Sequence, residues 1–511
     1  MKIVLADGVV ADVHGEGSAA GGELLGTMEF DGSPAFALWL LVERGRFAGQ
    51  AAAALHEAAL EALAVGNPDE AAHIAARLVA VDPFEETFHE LLVRALVARG
   101  DRAGALTQIA ACRRLFMDEL GIEPSDAVRR AAETTRATDE KRTGDRGAAR
   151  AHLQAGEAAI AAGAVEHGLT NLRQGCDAAA ACGDRQLHAR CLASLGSALI
   201  NAVRGRDEEG AAILTQAVSV AEDAGDRPTI VRALRDLGYA DLLMGRRAGC
   251  EQRLRRASSL ASTDAEHASI LAARGMNGLD MGDYAGAIAS LEEAMECARR
   301  AGDRRRLAWC EAFIARGRLA RGEIDEAAEL LDRSLAFIES EQWLIFLPFP
   351  EALRGEIDLI EGDTAVAAER FDHSFTLACQ LGDPCWEALS ARNLALLHLE
   401  RDEHELSLHW MDEARTRCTR LPDRYVWMQG HVIDTSIKVA LDSGETEQAR
   451  RLIRLLRALA SRAEMRELVV RALLHAARVG EDGALESARL LGAGIDNPSL
   501  HELLAQPHGS H

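Results

Sequence analysis

Trp309, Phe349, Trp386 and Trp427 each stand 13 to 17 residues ahead of a corner residue: Gly322, Gly362, Arg401 and Gly444 in turn. Large flat side chains held at one register have two uses. On an open concave face they form a ladder that grips a ligand or peptide; between paired helices they fill the gap left by each repeat. The spacing follows the repeat closely, which favours the filler. Trp343 and Phe346 join the candidates through the run Trp343-Leu-Ile-Phe346-Leu-Pro348-Phe349-Pro350. An apolar run broken by prolines is either an exposed binding patch or a buried plug between two helices. A small-molecule pocket is sought here first.

Other residue types offer less chemistry. His404 and His409 lie near Glu400 and Glu405, but five residues apart they leave a common helical face, and no cysteine or third histidine joins them. They read as solvated helix surface. Gly15 to Gly22 is glycine-rich without the lysine and strand that cradle phosphate. The nucleotide-binding, zinc-protease and nucleophile-elbow motifs are all missing from the chain. No catalytic, metal or cofactor-binding residue is assigned, and an enzyme is not expected.

The elements that must position these side chains are helices. Gly66-Asn-Pro-Asp-Glu-Ala71 returns 34 residues later as Gly100-Asp-Arg-Ala-Gly-Ala105. In each, a glycine turns the chain and a small residue follows five positions on. Apolar residues at helical spacing flank both turns, such as Leu55, Ala58, Ala59 and Ala62 before the first. This is a helix-turn-helix unit in tandem at the tetratricopeptide period. The small residue lets the second helix approach the first.

The same offset continues at Gly163/Gly168, Gly205/Gly210, Gly245/Cys250, Gly282/Ala287, Gly322/Ala327, Gly362/Ala367 and Gly444/Ala449, with Arg401/Leu406 less faithful. Units this size cannot bury their apolar faces alone, so they stack on their neighbours. The expected fold is all-α: eight such hairpins beyond the linker, forming a right-handed superhelical solenoid with a concave face. The boundaries read as a leader 1–24 with a hairpin signal at Asp7-Gly8, a helical domain 25–133, a linker 134–148, the repeat array 149–495 and a loose tail 496–511.

Composition agrees. Hydrophobic residues make up 48 % of the 511 but aromatics only 4 %, which suits close-packed helices. Net charge is −23, and residues 1–135 hold 11 basic against 21 acidic residues. Affinity for DNA comes chiefly from cations that neutralise phosphates, so this chain alone is expected to bind duplex poorly. No apolar run is long enough to span a membrane. Ten scattered cysteines without a CxxC pair read as buried thiols in a reducing cytoplasm.

One stretch carries a more specific likeness. Its matching residues are Phe36-Ala-Leu-Trp39-Leu40 with Glu43, Arg44 and Arg46, then Asp82-Pro83-Phe84-Glu85-Glu86, Leu91-Leu92, Ala95-Leu96 and Gly100 to Leu106. Arg113-Arg114-Leu115 and Glu119-Leu-Gly-Ile-Glu-Pro-Ser125 close it. Phe36 to Ser125 thereby resembles the bacterial transcriptional activator domain of the Streptomyces antibiotic regulatory protein family, departing at Ile109, where the family often has an aromatic. The longer repeats resemble the tetratricopeptide arrays that follow this domain in large regulators.

The resemblance implies a winged helix that binds promoter DNA ahead of the module. The fragment Val4 to Val13 resembles its last hairpin, so either the gene start lies further upstream or the DNA arm has been lost. It also implies regulation through contact with the transcription machinery or another regulator. The alternative is a scaffold or ligand-sensing adaptor with no role in transcription. Proteins of this shape often self-associate, which leaves a homo-oligomer open.

Overall fold

A computed structural model of the protein describes residues 24, 33–120, 123–133, 145–203, 205–419 and 425–505. The hairpin signal near Asp7-Gly8 and most of the 134–148 linker lie outside them. The described residues are all-α with no strand among them.

The first five helices form an N-terminal module: α1 (Pro34–Ala64), α2 (Pro68–Val81), α3 (Glu86–Ala98), α4 (Arg102–Leu120) and α5 (Asp126–Arg130). Ser33 caps α1, its hydroxyl accepting from the Phe36 N–H ahead of Pro34 in the first turn. Ser125 caps α5, and its own N–H donates to Glu86 at 2.6 Å, tying the module's end back to α3.

Nine hairpins follow among the described residues. They are α6 and α7 (Arg146–Ala161, Val165–Cys182), α8 and α9 (Arg185–Asn201, Asp207–Ala224), α10 and α11 (Arg227–Leu243, Arg247–Leu260), and α12 and α13 (Asp264–Met281, Tyr284–Ala301). Next come α14 and α15 (Arg304–Ala320, Ile324–Ser340), α16 and α17 (Pro348–Ile360, Thr364–Leu381), α18 and α19 (Pro384–Glu400, His404–Thr419), and α20 and α21 (Val426–Asp442, Thr446–Arg462). The ninth is α22 and α23 (Arg466–Arg478, Ala484–Gly492), and α24 (Pro498–Ala505) closes the described chain.

Two sequence expectations change here. Eight hairpins become nine, because the last turn uses Gly480 and Gly483 with Ala484 packed behind, outside the five-residue offset. The tail from 496 is not loose throughout. Asn497 donates to the Ala320 carbonyl at 3.1 Å, and Leu500 and Leu504 of α24 are buried.

The corner glycines named above all take positive φ, from 71° at Gly205 to 87° at Gly362, where a side chain would strain. At the irregular corner the register moves by one residue. Asp402, not Arg401, adopts φ 58°, and the small residue five positions on is Ser407, fully buried and donating to the Ala395 carbonyl at 2.9 Å. Leu406 is exposed instead. Aspartate tolerates the left-handed region better than most residues, which keeps the corner workable.

The first helices of successive hairpins, α6 through α22, pack on one another, while each second helix packs mainly on its own partner and the next hairpin. The first helices therefore line the inside of the curve. The array then winds far enough for its last hairpins to meet the third, fourth and fifth. Arg247 Nε donates to the Ala463 carbonyl at 3.1 Å, Arg316 to the Tyr425 hydroxyl at 2.8 Å, and Tyr284 bonds Glu467. Module helix α1 lies along this closure, packed on α9, α11, α21 and α23. A Cβ on Gly49 would fall 2.3 Å from the Arg462 carbonyl oxygen, so only glycine fits there.

Candidate functional site

Helices α8, α10, α12 and α14 project side chains from their inner faces into one cavity of about 350 Å³. Asn201, Arg235, Tyr239, Ser269 and Ala273 line one side; Asp303, Arg305, Arg306, Trp309 and Trp343 line the other. The placement follows from the repeat, since inner positions of consecutive first helices fall side by side. Asp303 caps α14 by accepting from the Arg306 N–H at 2.9 Å. That cap fixes Arg305 and Arg306 in the first turn, at the cavity wall.

The charges are unusual for so acidic a chain. Arg235 pairs with Asp236 at 2.8 Å, behind the cavity. Arg306 has a buried Nε without a hydrogen-bond partner. Burial, and then Arg235 beside it, pulls the Arg306 guanidinium below its ordinary pKa, against the opposing pull of Cys310 and Asp303. Two arginines of α14 lean over indoles: Arg305 over Trp343 and Arg306 over Trp309, both at 5.5 Å from the ring centroid.

The six aromatic candidates fall into one connected cluster. Trp309 stacks on Phe313 at 4.0 Å, Phe313 meets Phe349 at 4.8 Å, and Phe349 meets Trp386 at 4.6 Å. Trp343 joins through Phe346 at 4.7 Å. Trp427 enters by way of Arg316, whose guanidinium lies between the Trp427 and Phe313 rings. Phe349 is fully buried and Phe346 nearly so, which makes them core filler, with Leu344 and Ile345 exposed on the same run. Trp386 and Trp427 are half-buried within the cluster. Trp309 and Trp343 reach the cavity.

Sequence reasoning missed the arginines. Asn201 and Tyr239, like Ser269 and Trp309, sit about one repeat apart, a signal visible once the register is known. The histidine pair needs no metal to explain it: His409 stands edge-on to Trp410 at 5.7 Å, and no cluster of three metal-ligating residues occurs among the described residues.

A second, buried constellation joins the module to the array. His56 of α1 bonds Glu208 of α9 at 2.6 Å, and Arg246 donates to Glu208 at 3.1 Å and to Asp241 at 2.9 Å. Arg253 pairs with Asp241 and reaches Glu57 of α1 at 3.5 Å. Burial works against the Glu208 carboxylate, but His56 and Arg246 outweigh it and hold its pKa down to about 2. Burial, with Arg246 adding to it, pushes His56 below its ordinary value. With the carboxylate held ionised, the imidazole Nε2 is the donor of the 2.6 Å bond.

Comparisons with known proteins bear on the two halves separately. Residues 21–136 match the family described as the bacterial transcriptional activator domain. Among solved structures, the chain is similar to a Rap protein complexed with competence and sporulation factor, at 12 % identity and TM-score 0.50, over 70 % of this chain and 99 % of that one. It is also similar to the apo quorum sensor NprR from B. thuringiensis, at 14 % identity and TM-score 0.44, over 68 % and 97 %. No curated protein matches. The chain thus carries a bacterial transcriptional activator domain followed by tetratricopeptide-like repeats.

Proposed function

We propose that the protein is a non-catalytic cytoplasmic regulator of transcription, in which the repeat array receives a ligand or partner and the activator module passes that state on. The observation behind this reading is the seam. The module's first helix is held against the array by the buried His56–Glu208–Arg246 network. A change in the array's curvature shifts α9 and α21 and so acts directly on α1. The Rap protein of similar fold was solved with competence and sporulation factor bound, which supports looking for the signal in the array. No helix among the described residues is long and apolar enough to cross a membrane.

The test tethers the full chain to a reporter promoter through an unrelated DNA-binding domain. Transcription is expected to rise several-fold over the DNA-binding domain alone. An unchanged reporter at equal protein levels contradicts the transcriptional role and favours the adaptor.

A further inference from the structure

Arg306 is the anomaly of the concave face. A buried guanidinium N–H normally has an acceptor, because water is no longer there to supply one. Its Nε has none, and neither Arg305 nor Arg306 has a carboxylate in ion-pair range among the described residues. The chain carries 80 acidic residues against 57 basic ones, so uncompensated arginines in one cavity are not the run of its composition. Two half-buried indoles share the wall, each beneath an arginine. A volume of about 350 Å³ falls at the small end of ligand pockets, which span roughly 300–1,000 Å³.

The groups choose among ligands. Three guanidinium groups against the one lining carboxylate, Asp303, which already caps α14, disfavour a metal cation. A bare inorganic anion would meet the outer guanidinium nitrogens and leave the accessible parts of the two half-buried indoles without a partner. Guanidinium forks match carboxylate or phosphate oxygens, and indole faces match a flat apolar body. We propose that this cavity is the binding site for a small organic anion, its carboxylate or phosphate set against Arg306 and Arg305 and its planar body lying along Trp309 and Trp343. This deepens the function proposed above, because it gives the signal received by the array a chemical class.

The test uses the purified full chain with 1-naphthoate and 1-naphthyl phosphate as probes, and with neutral 1-naphthalenemethanol and inorganic phosphate as comparisons. Binding is followed by calorimetry and by tryptophan fluorescence. One anionic probe is expected to bind one per chain and to quench the fluorescence, at least about tenfold tighter than the neutral alcohol or inorganic phosphate. Which probe is favoured tells carboxylate from phosphate. Arg306→Gln is expected to weaken binding by about tenfold or more, and Arg305→Gln, on the exposed side of the wall, by less, while Arg255→Gln on the far surface leaves it unchanged. A circular dichroism melt confirms that each variant is folded; should Arg306→Gln not fold, Arg305→Gln carries the test.

No binding by either anionic probe at millimolar concentration, or equal binding of the neutral alcohol, overturns the proposal. So does wild-type affinity in a folded Arg306→Gln, or in Arg305→Gln where that variant carries the test. The tethered reporter needs no added ligand, so its failure and a failure here are told apart.

Discussion

His56 shows how much rests on single protons and charges at the seam. Its folded pKa lies below the ordinary value of 6.5, through burial first and Arg246 second. Between those two values the unfolded chain binds the proton and the folded chain does not, so stability falls as pH drops below about 6.5 and is fully present above it. His431, held well below 6.5 by burial and then by Arg392, adds to the same slope. Glu208 titrates elsewhere: its contribution is present above the usual carboxylate range and is lost only as pH falls toward about 2. The melting temperature is therefore expected to fall from pH 7.5 to 5.5, and His56→Gln to flatten part of that fall. A melting temperature that rises on acidification contradicts this. Glu208→Ala leaves Arg246 and His56 facing each other in the dry seam and is expected to cost about 3–5 kcal/mol in chemical denaturation. None of this was legible beforehand, because His56 and Glu208 are 152 residues apart and neither stands in a motif.

Within single elements the reading from residues went furthest. A glycine with a small residue five positions on placed nearly every hairpin, because both requirements are local: a left-handed corner and a close approach of two helices. It failed where another residue met the same need. Asp402 takes the corner one position late, and Ser407 supplies the small neighbour. Gln342 also adopts positive φ, at 49°, where glutamine gains nothing from the turn. Gln342→Gly is expected to raise stability by roughly 0.5–1 kcal/mol, measured by denaturant midpoint. Gly49 makes the opposite case. Gly49→Val must push α1 off the Arg462 carbonyl, and is expected to cost about 1–3 kcal/mol and open α1 to limited proteolysis.

Across the whole molecule, the all-α repeat array was legible and its closure was not. Local periodicity reports which face of a helix is apolar. It does not say that the corners at Gly245, Gly282 and Gly322 meet residues 463 to 499, because that depends on the accumulated twist of many hairpins. The Trp343–Pro350 run shows both sides of this limit. Its pattern allowed either an exposed patch or a buried plug, and the run is buried at Phe349 and exposed at Leu344 and Ile345, while the arginines opposite Trp343 and Trp309 needed three dimensions.

Closure is also what makes the module and the array one body, and it can be trapped. A Cβ on Gly45 of α1 would lie 2.9 Å from the Ser461 Cβ, closer than the roughly 3.5–4.5 Å of a disulfide, so a small outward shift of α1 brings the pair into bonding range. Buried thiols such as Cys112, Cys250 and Cys310 are pushed up to about 12 and compete little, so the exposed Cys379 and the partly exposed Cys182 and Cys385 are replaced by serine. Mild oxidation of the Gly45→Cys, Ser461→Cys chain is expected to give an intramolecular bond, seen as a faster band on a denaturing gel that reverts on reduction. A chain that stays reduced, or links only to other chains, would mean that α1 does not rest on the array.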